Sequence, residues 1–234
     1  MTVLAATDVS GGYARTDAIL KGIAIEAAAG EIVAILGPNG AGKSTFLRAV
    51  TGQLPHVAGR IALDGTDIAG LRPRRVARAG VGYVPQEANV FATLTVRENL
   101  EMGAWLARDP GSRIVDMLDR FPVLAEKRRD AARTLSGGQR QILAMAIALM
   151  VEPKLLLLDE PSAGLSPLAA GALFDTIRQV AAQGVAVVLV EQNAMDALSI
   201  CDRAYILAAG RNHTTGTGAA LAADPDIRRT FLGG

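Results

Sequence analysis

The chain has 234 residues, half of them hydrophobic, and a formal net charge of +1. This length suits one large α/β domain, and the near-zero net charge gives no support to nucleic acid as the main partner. The single cysteine, Cys201, excludes a disulfide framework and a cysteine-rich zinc site. The longest apolar run, Ile142 to Val151, is too short to cross a bilayer, and no signal segment precedes the first strand. Composition therefore predicts a soluble, cytoplasmic protein that reaches a membrane only through a partner.

The N-terminal segment is predicted to consist of strands. Val3 to Val9 and Ala18 to Ala28 are separated by the turn signal Ser10-Gly11-Gly12. Tyr13 follows this turn, and its position alone favours a half-buried aromatic residue at a sheet edge. Glu31 to Leu36 is a short apolar strand.

A glycine-rich loop with the pattern G-x-x-x-x-G-K-S follows that strand, and the apolar helix Thr45 to Val50 comes after it. Strand, glycine loop and helix in this order are the context of a phosphate-binding loop. Glycines let several backbone N–H groups converge on one anion, and the helix N-terminus adds partial positive charge. We predict nucleotide binding here, with Lys43 reaching the β- and γ-phosphates and Ser44 holding Mg²⁺. The loop residues are Gly37, Pro38, Asn39, Gly40, Ala41, Gly42, Lys43, Ser44 and Thr45.

Two more strands and a short helix are predicted before residue 87. Gly59 to Asp64 is a strand with a hairpin turn at Asp64-Gly65, Pro73 to Ala79 is a short helix, and Val81 to Val84 is a strand. Gln86 follows the last strand. Near a phosphate loop, such a glutamine could complete the ligand shell of a metal, and the alternative is a polar turn residue.

Residues 87–151 interrupt the α/β pattern with helices. Thr95 and Glu98 have the spacing of a capping box that opens a helix to about Leu106. Asp109-Pro110-Gly111 is predicted to break this helix. A further helix, Ile114 to Phe121, is predicted to end at Pro122.

A second capping box, Ser136 with Gln139, opens the apolar helix Ile142 to Val151. Gly137 and Gly138 lie between its two members. Ser136 and the two glycines are therefore predicted at an open helix N-terminus, which is a second anion-binding feature.

The apolar run Leu155 to Leu158 is typical of a strand buried on both faces, and it ends in Asp159-Glu160. The carboxyl end of a central parallel strand lies beside the phosphate loop in such a sheet. Because carboxylates are rarely buried without a partner, the pair predicts Mg²⁺ and water chemistry.

The remaining elements are predicted to alternate again between helix and strand. They are a helix from Ser166-Pro167 to about Ala182, a strand from Val185 to Val190, a helix capped by Asn193, a strand at Tyr205-Ile206-Leu207, and a helical tail from Ala219 to Leu232 before flexible Gly233-Gly234.

Together these motifs resemble the ATP-binding-cassette (ABC) ATPases over almost the whole chain. The resemblance rests on the phosphate loop, on Gln86, on Leu135-Ser136-Gly137-Gly138-Gln139, on Leu155 to Glu160, and on Ser162 to Leu165, in that order. The segment Leu135 to Gln139 matches the signature sequence of the family, and this signature excludes ordinary kinases and GTPases. The resemblance implies an α/β fold with a P-loop NTPase (RecA-like) core, a mostly parallel sheet, an N-terminal antiparallel β subdomain and an inserted α-helical subdomain. It implies a single domain, with core and β subdomain at about 1–86 and 152–234 and the helical subdomain at about 87–151.

The resemblance also implies roles for single residues. Tyr13 would stack on adenine, and Glu160 would activate the attacking water. The phosphate loop would bind ATP, and Mg²⁺ would be held by Ser44, Gln86 and Asp159. A second ABC ATPase subunit would cover the nucleotide with its own signature, here Leu135, Ser136, Gly137, Gly138 and Gln139.

One position departs from the family pattern. The family has a histidine after the strand that follows the catalytic glutamate, and this chain has Gln192 there, while its only histidines are His56 and His213. Glutamine can donate a neutral hydrogen bond to a γ-phosphate oxygen, but it cannot carry positive charge or shuttle a proton. One subgroup of the family, the ATP-binding subunits of branched-chain amino acid importers, resembles this chain in having glutamine here, so we interpret Gln192 as a catalytic residue typical of that subgroup.

Several short segments of the sequence resemble, in more detail, the ATP-binding subunit of bacterial branched-chain amino acid importers. The ATP-binding subunit of the urea importer is a close relative of that subunit. This resemblance implies two membrane permease subunits, a periplasmic substrate-binding protein and a peripheral place on the cytoplasmic face of the inner membrane. The alternatives are the ATPase of a urea or amide importer and a soluble ABC ATPase for a task such as iron–sulfur assembly. A DNA-repair ATPase would need a long coiled coil or zinc-binding cysteines. The segments are Tyr83 to Gln86, Leu94 to Gly103, Glu160 to Pro167, Val190 to Ala194 and Phe231 to Gly234.

Overall fold

The computed structural model describes residues 1–231. Leu232, Gly233 and Gly234, the end of the predicted tail, lie outside the described residues. The strands are β1 (Thr2–Gly12), β2 (Leu20–Ala28), β3 (Ile32–Leu36), β4 (His56–Leu63), β5 (Thr66–Asp67), β6 (Val81–Val84), β7 (Leu155–Asp159), β8 (Ala186–Val190), β9 (Arg203–Ala208) and β10 (Arg211–Thr217). The helices are α1 (Lys43–Val50), α2 (Pro73–Ala79), α3 (Val96–Gly103), α4 (Pro110–Arg120), α5 (Pro122–Glu126), α6 (Gly137–Leu149), α7 (Pro167–Ala182), α8 (Ala194–Ile200), α9 (Gly218–Ala223) and α10 (Pro225–Phe231).

Two sheets organise the chain. One has four antiparallel strands in the order β2-β1-β4-β5, and the other has six strands in the order β10-β9-β3-β8-β7-β6. In the six-stranded sheet only the β10–β9 pair is antiparallel. Helices α3 to α6 lie between β6 and β7 in the chain. The predicted fold class, a mostly parallel core with an antiparallel β subdomain and inserted helices, is confirmed.

The six-stranded sheet has a hydrophobic cluster on each face. Along β7, Leu156 and Leu158 join the cluster with the inserted helices, whereas Leu155 and Leu157 join the cluster with the antiparallel sheet. Successive side chains of a strand point to opposite faces, so a continuous apolar run fills both clusters. This is why β7 carries four leucines that are each at most 1% exposed.

The predicted turn at Ser10-Gly11-Gly12 is wrong. Strand β1 continues to Gly12, and Gly11 pairs with both Leu20 and Val57. A Cβ atom on Gly11 would overlap the carbonyl oxygen of His56 on β4. The glycine is needed because β1 and β4 approach closely here. Local sequence does not reveal this approach, because the partner residue is more than 40 residues away in the chain.

Two prolines predicted as helix endings also begin helices. Pro110 is the first residue of α4, where the Asp109 side chain accepts the N–H of Ser112, and Pro122 is the first residue of α5. Proline suits this position because its missing N–H would have no partner inside the helix. The tail is similarly divided, because α9 ends before Asp224 and α10 starts at Pro225. No helix in the described part of the chain is both long enough and apolar enough to cross a membrane.

Candidate nucleotide site

Three parallel strands bring the predicted site together. In the sheet β3 and β7 flank β8, with Ile35 and Asp159 both paired to Val190. The phosphate loop follows β3, Asp159 and Glu160 end β7, and Gln192 follows β8. Because the carboxyl ends of parallel strands meet at one edge, residues far apart in sequence form one cluster.

The phosphate loop encloses the Lys43 ammonium. Gly42 precedes α1 with φ 100°, a left-handed conformation that glycine adopts at no steric cost. Nζ of Lys43 donates to the carbonyl oxygens of Gly37 (2.8 Å) and Pro38 (3.2 Å). An ammonium has three donors, so one remains for a ligand oxygen. Burial lowers the pKa of Lys43, and the charges of Glu160 and Asp159 partly oppose this effect. A bound triphosphate would also favour the charged form.

Ser44 and Asp159 form a pair of oxygen groups beside the loop. The Ser44 hydroxyl donates to Oδ1 of Asp159 at 2.8 Å, and the Tyr83 hydroxyl lies 3.4 Å from Oδ2. Asp159 is only 3% exposed. Burial, and next the charge of Asp159, raise the pKa of Tyr83 to about 12, so Tyr83 stays a donor. A hydroxyl and a carboxylate are the hard oxygen ligands that Mg²⁺ takes together with substrate phosphates.

Gln86 contacts Glu160. Its Nε2 atom donates to Oε2 of Glu160 at 2.8 Å, so the structure places this amide at the glutamate and not at the Ser44–Asp159 pair. Glu160 has φ 48°, and its N–H donates to the carbonyl of Val190 at 2.9 Å. A residue with a Cβ atom in this conformation costs about 1–2 kcal/mol. Local strain of this kind is often found at functional sites.

Tyr13 and Gln192 lie at the exposed side of the cluster. Nη1 of Arg48 donates to the Tyr13 hydroxyl at 2.6 Å, and Tyr13 as a whole is 45% exposed. Arg48 is four residues after Ser44 on α1, so both side chains lie on one face of that helix. The Gln192 side chain is exposed.

The signature residues form the predicted capping box at the start of α6. Oγ of Ser136 accepts the N–H of Gln139 at 3.3 Å, and Oε1 of Gln139 accepts the N–H of Ser136 at 3.0 Å. Leu135 is buried, and its carbonyl accepts a hydrogen bond from Arg140. Since the box uses the N–H groups of Ser136 and Gln139, those of Gly137 and Gly138 are the remaining donors at this helix end.

Sequence reasoning missed three residues of this region. Arg48 holds Tyr13, and Tyr83 contacts Asp159, as described above. Glu191 is 2% exposed, and its Oε1 accepts the N–H of Ser162 at 2.9 Å. Burial raises the pKa of Glu191. The signal was available for Glu191, because it is an acid directly after a buried strand, as Asp159 and Glu160 are at the end of β7.

A phosphate loop, acids at the end of another parallel strand of the same sheet and a second anion-binding helix end define a P-loop ATPase. Comparison with known proteins agrees. The family model described as ABC transporter matches residues 20–163. A high-affinity branched-chain amino acid transport ATP-binding protein, BraG of Pseudomonas aeruginosa, is 43% identical over 97% of both chains. A lipopolysaccharide export system ATP-binding protein of Haemophilus influenzae is 34% identical over 100% of this chain and 98% of its own.

Solved structures also match over nearly the whole chain. The crystal structure of a nucleotide-free ATP-binding cassette from an ABC transporter has a TM-score of 0.87, 26% identity and 97% coverage of both chains. The chain belongs to the ABC transporter family. It is an ATP-binding subunit of such a transporter, and it is an ATPase.

Proposed function

We propose that this subunit powers the import of branched-chain or related amino acids. The observation that carries this proposal is the identity to the Pseudomonas branched-chain subunit over nearly the full length of both chains. A probable branched-chain transport ATP-binding protein of Archaeoglobus fulgidus, 42% identical over 86% of this chain, also supports it. Lipopolysaccharide export is the second candidate, because relatives of that class match the full chain at lower identity.

Within one subunit, each side chain of the cluster has a proposed task. Lys43 and the loop N–H groups would bind the β- and γ-phosphates and stabilise their charge. Mg²⁺, held by Ser44 and Asp159, would neutralise charge on the phosphates. Glu160 would orient the attacking water and accept its proton, while the Gln86 amide fixes the carboxylate. Gln192 would donate a hydrogen bond to a γ-phosphate oxygen.

A second ABC ATPase subunit, identical or related, would complete the site. We propose that the N–H donors of Gly137 and Gly138, with the Ser136 hydroxyl, bind the γ-phosphate of ATP held by the partner. ATP binding would close the pair and hydrolysis would reopen it. The inserted helices at residues 87–151 would move as one unit within a single domain over residues 1–234.

The surface that would meet the permeases carries exposed apolar side chains. Phe91, Met102 and Trp105 are each about half exposed, and with Tyr83 they line a cavity of about 250 Å³. Clustered exposed apolar groups are unusual outside interaction sites. We propose that a cytoplasmic segment of a permease subunit binds here, which would place the chain on the cytoplasmic face of the inner membrane. A periplasmic binding protein would deliver the amino acid.

The test is co-expression with two branched-chain amino acid permease subunits and their binding protein. We expect a detergent-stable complex whose ATPase rate rises with leucine-loaded binding protein. Trp105→Ala with Met102→Ala should reduce co-purification severalfold while ATPase activity of the free subunit persists. Val115→Ala, at another exposed apolar position, is the control. A complex formed with lipopolysaccharide-export permeases in place of these would support the second candidate.

Gln192 provides a separate prediction. A neutral hydrogen bond contributes about 0.5–1.5 kcal/mol, so Gln192→Ala should lower kcat by about two- to tenfold with little change in ATP affinity. Gln192→His should keep ATP binding, raise the hydrolysis rate and add a pH dependence near 6.5, the ordinary pKa of histidine. Steady-state ATPase assays across pH, with Gln183→Ala as control, check both. If Gln192→Ala hydrolyses ATP at the wild-type rate and with wild-type coupling to transport, the Gln192 side chain takes no part in catalysis.

A further inference from the structure

The side chain of Gln141 connects two loops of the nucleotide site. Gln141 lies on α6, two residues after Gln139. Its Nε2 atom donates to the carbonyl oxygen of Pro161 at 2.7 Å, and its Oε1 atom accepts from Nδ2 of Asn89 at 2.6 Å. Both amide side chains are partly buried. The first distance is at the short end of the normal hydrogen-bond range, and the second is slightly shorter than that range.

The chemistry of the contacts allows only one orientation of the two amides. The Pro161 carbonyl can only accept, so Gln141 must present its nitrogen there. Its oxygen then faces Asn89, which must in turn present its own nitrogen. That nitrogen also lies 3.4 Å from the carbonyl oxygen of Pro85. The pair is therefore a directional bridge, and an apolar residue of similar volume cannot replace it.

Both ends of the bridge lead to Glu160. Pro161 is the residue directly after Glu160. Asn89 belongs to the same loop as Gln86, whose amide holds the Glu160 carboxylate at 2.8 Å. Between them, Ala88 has φ 52°, a left-handed conformation that costs about 1–2 kcal/mol and turns the chain toward α6. A closed chain of contacts thus joins the signature helix to the glutamate of its own subunit.

We propose that Gln141 is a positioning residue that couples the signature helix to Glu160. When Ser136 to Gln139 close on the partner's ATP, the displacement of α6 passes through Gln141 to Pro161 and Asn89. It thereby reaches the backbone next to Glu160 and the loop whose Gln86 holds the Glu160 carboxylate. ATP bound in one site thereby sets the hydrolytic competence of the other. This inference rests on the proposed pairing of two subunits around ATP.

The test uses Gln141→Met in the assembled transporter, since methionine keeps the volume and helix propensity but removes both hydrogen bonds. A misplaced catalytic group lowers the rate of the chemical step more than substrate binding. We expect kcat to fall about tenfold, KM to stay within about twofold, and the Hill coefficient for ATP to fall toward 1. Gln179→Met, at an exposed position inside α7, is the matched control and should behave as wild type.

Asn89→Ala tests the bridge from its other end. It should also lower kcat. The double variant Asn89→Ala with Gln141→Met should have a kcat no lower than that of the slower single variant. Additive losses, an unchanged kcat, or hydrolysis that is non-cooperative in the wild type would each overturn the coupling. If Gln141→Met does not fold, Gln141→Glu and Asn89→Ala decide, because Gln141→Glu removes the donor to Pro161 and should show the same loss.

A failure of this inference differs from a failure of the proposed pairing. If Glu160→Gln does not form an ATP-dependent pair with its partner subunit, the pairing itself is wrong. If that pair forms and Gln141→Met hydrolyses ATP as wild type does, only the role of Gln141 is wrong.

Discussion

Replacing Glu160 with glutamine is expected to lower ATP hydrolysis by about 10²- to 10⁴-fold while ATP still binds. The magnitude is that of a positioned general base. Glutamine has the same shape and can still accept the hydrogen bond from Gln86, so the site should keep its geometry and lose only the proton acceptor. Single-turnover hydrolysis, with ATP affinity measured in parallel, separates chemistry from binding.

The same variant should accumulate in the closed, ATP-bound pair, because hydrolysis is the step that reopens it. Glu126→Gln, at an exposed position on α5, changes the charge equally and should hydrolyse ATP as wild type does. Turnover of Glu160→Gln within a fewfold of wild type would remove Glu160 from the catalytic role.

Lys43→Ala is expected to lose ATP affinity by about 10- to 150-fold. Hydrogen bonds to charged groups are worth about 1.5–3 kcal/mol, and the third N–H of Lys43 is the donor that the loop leaves for a phosphate. The loss should grow with the number of phosphates, so ATP should suffer more than AMP. Calorimetric titration of both nucleotides measures this difference.

Lys21→Ala, which removes an exposed lysine from β2, is the control and should bind ATP normally. Thermal unfolding of Lys43→Ala should confirm that the variant is folded before its affinity is compared. Equal affinity of Lys43→Ala and wild type for ATP would contradict the assignment of the phosphate loop.

Local pattern was enough to predict the strand-end residues. The loop Gly37 to Thr45 has the spacing of a phosphate-binding loop, and the leucines of β7 are typical of a strand in a sheet covered on both faces. Asp159 and Glu160 then meet the loop because parallel strands end at one edge. The two capping boxes were equally readable, since each is closed by residues three apart.

The missed features depend on pairs that are distant in the chain. Gly11 is a strand residue because it pairs with Leu20 and Val57, and Arg48 matters because it binds Tyr13. The bridge from Asn89 through Gln141 to Pro161 joins three elements, and no spacing within any one of them indicates it. Strand β10 was missed for a different reason, because its residues are mostly polar and alternate only between partly and fully exposed positions.

The most direct test of the account is a calorimetric titration of Glu160→Gln with ATP in the presence of Mg²⁺. The arrangement of Lys43, Ser44 and Asp159 predicts saturable binding of one ATP per chain, which Lys43→Ala should weaken severely and removal of Mg²⁺ should reduce. A folded protein that shows no saturable binding of ATP under these conditions would contradict it.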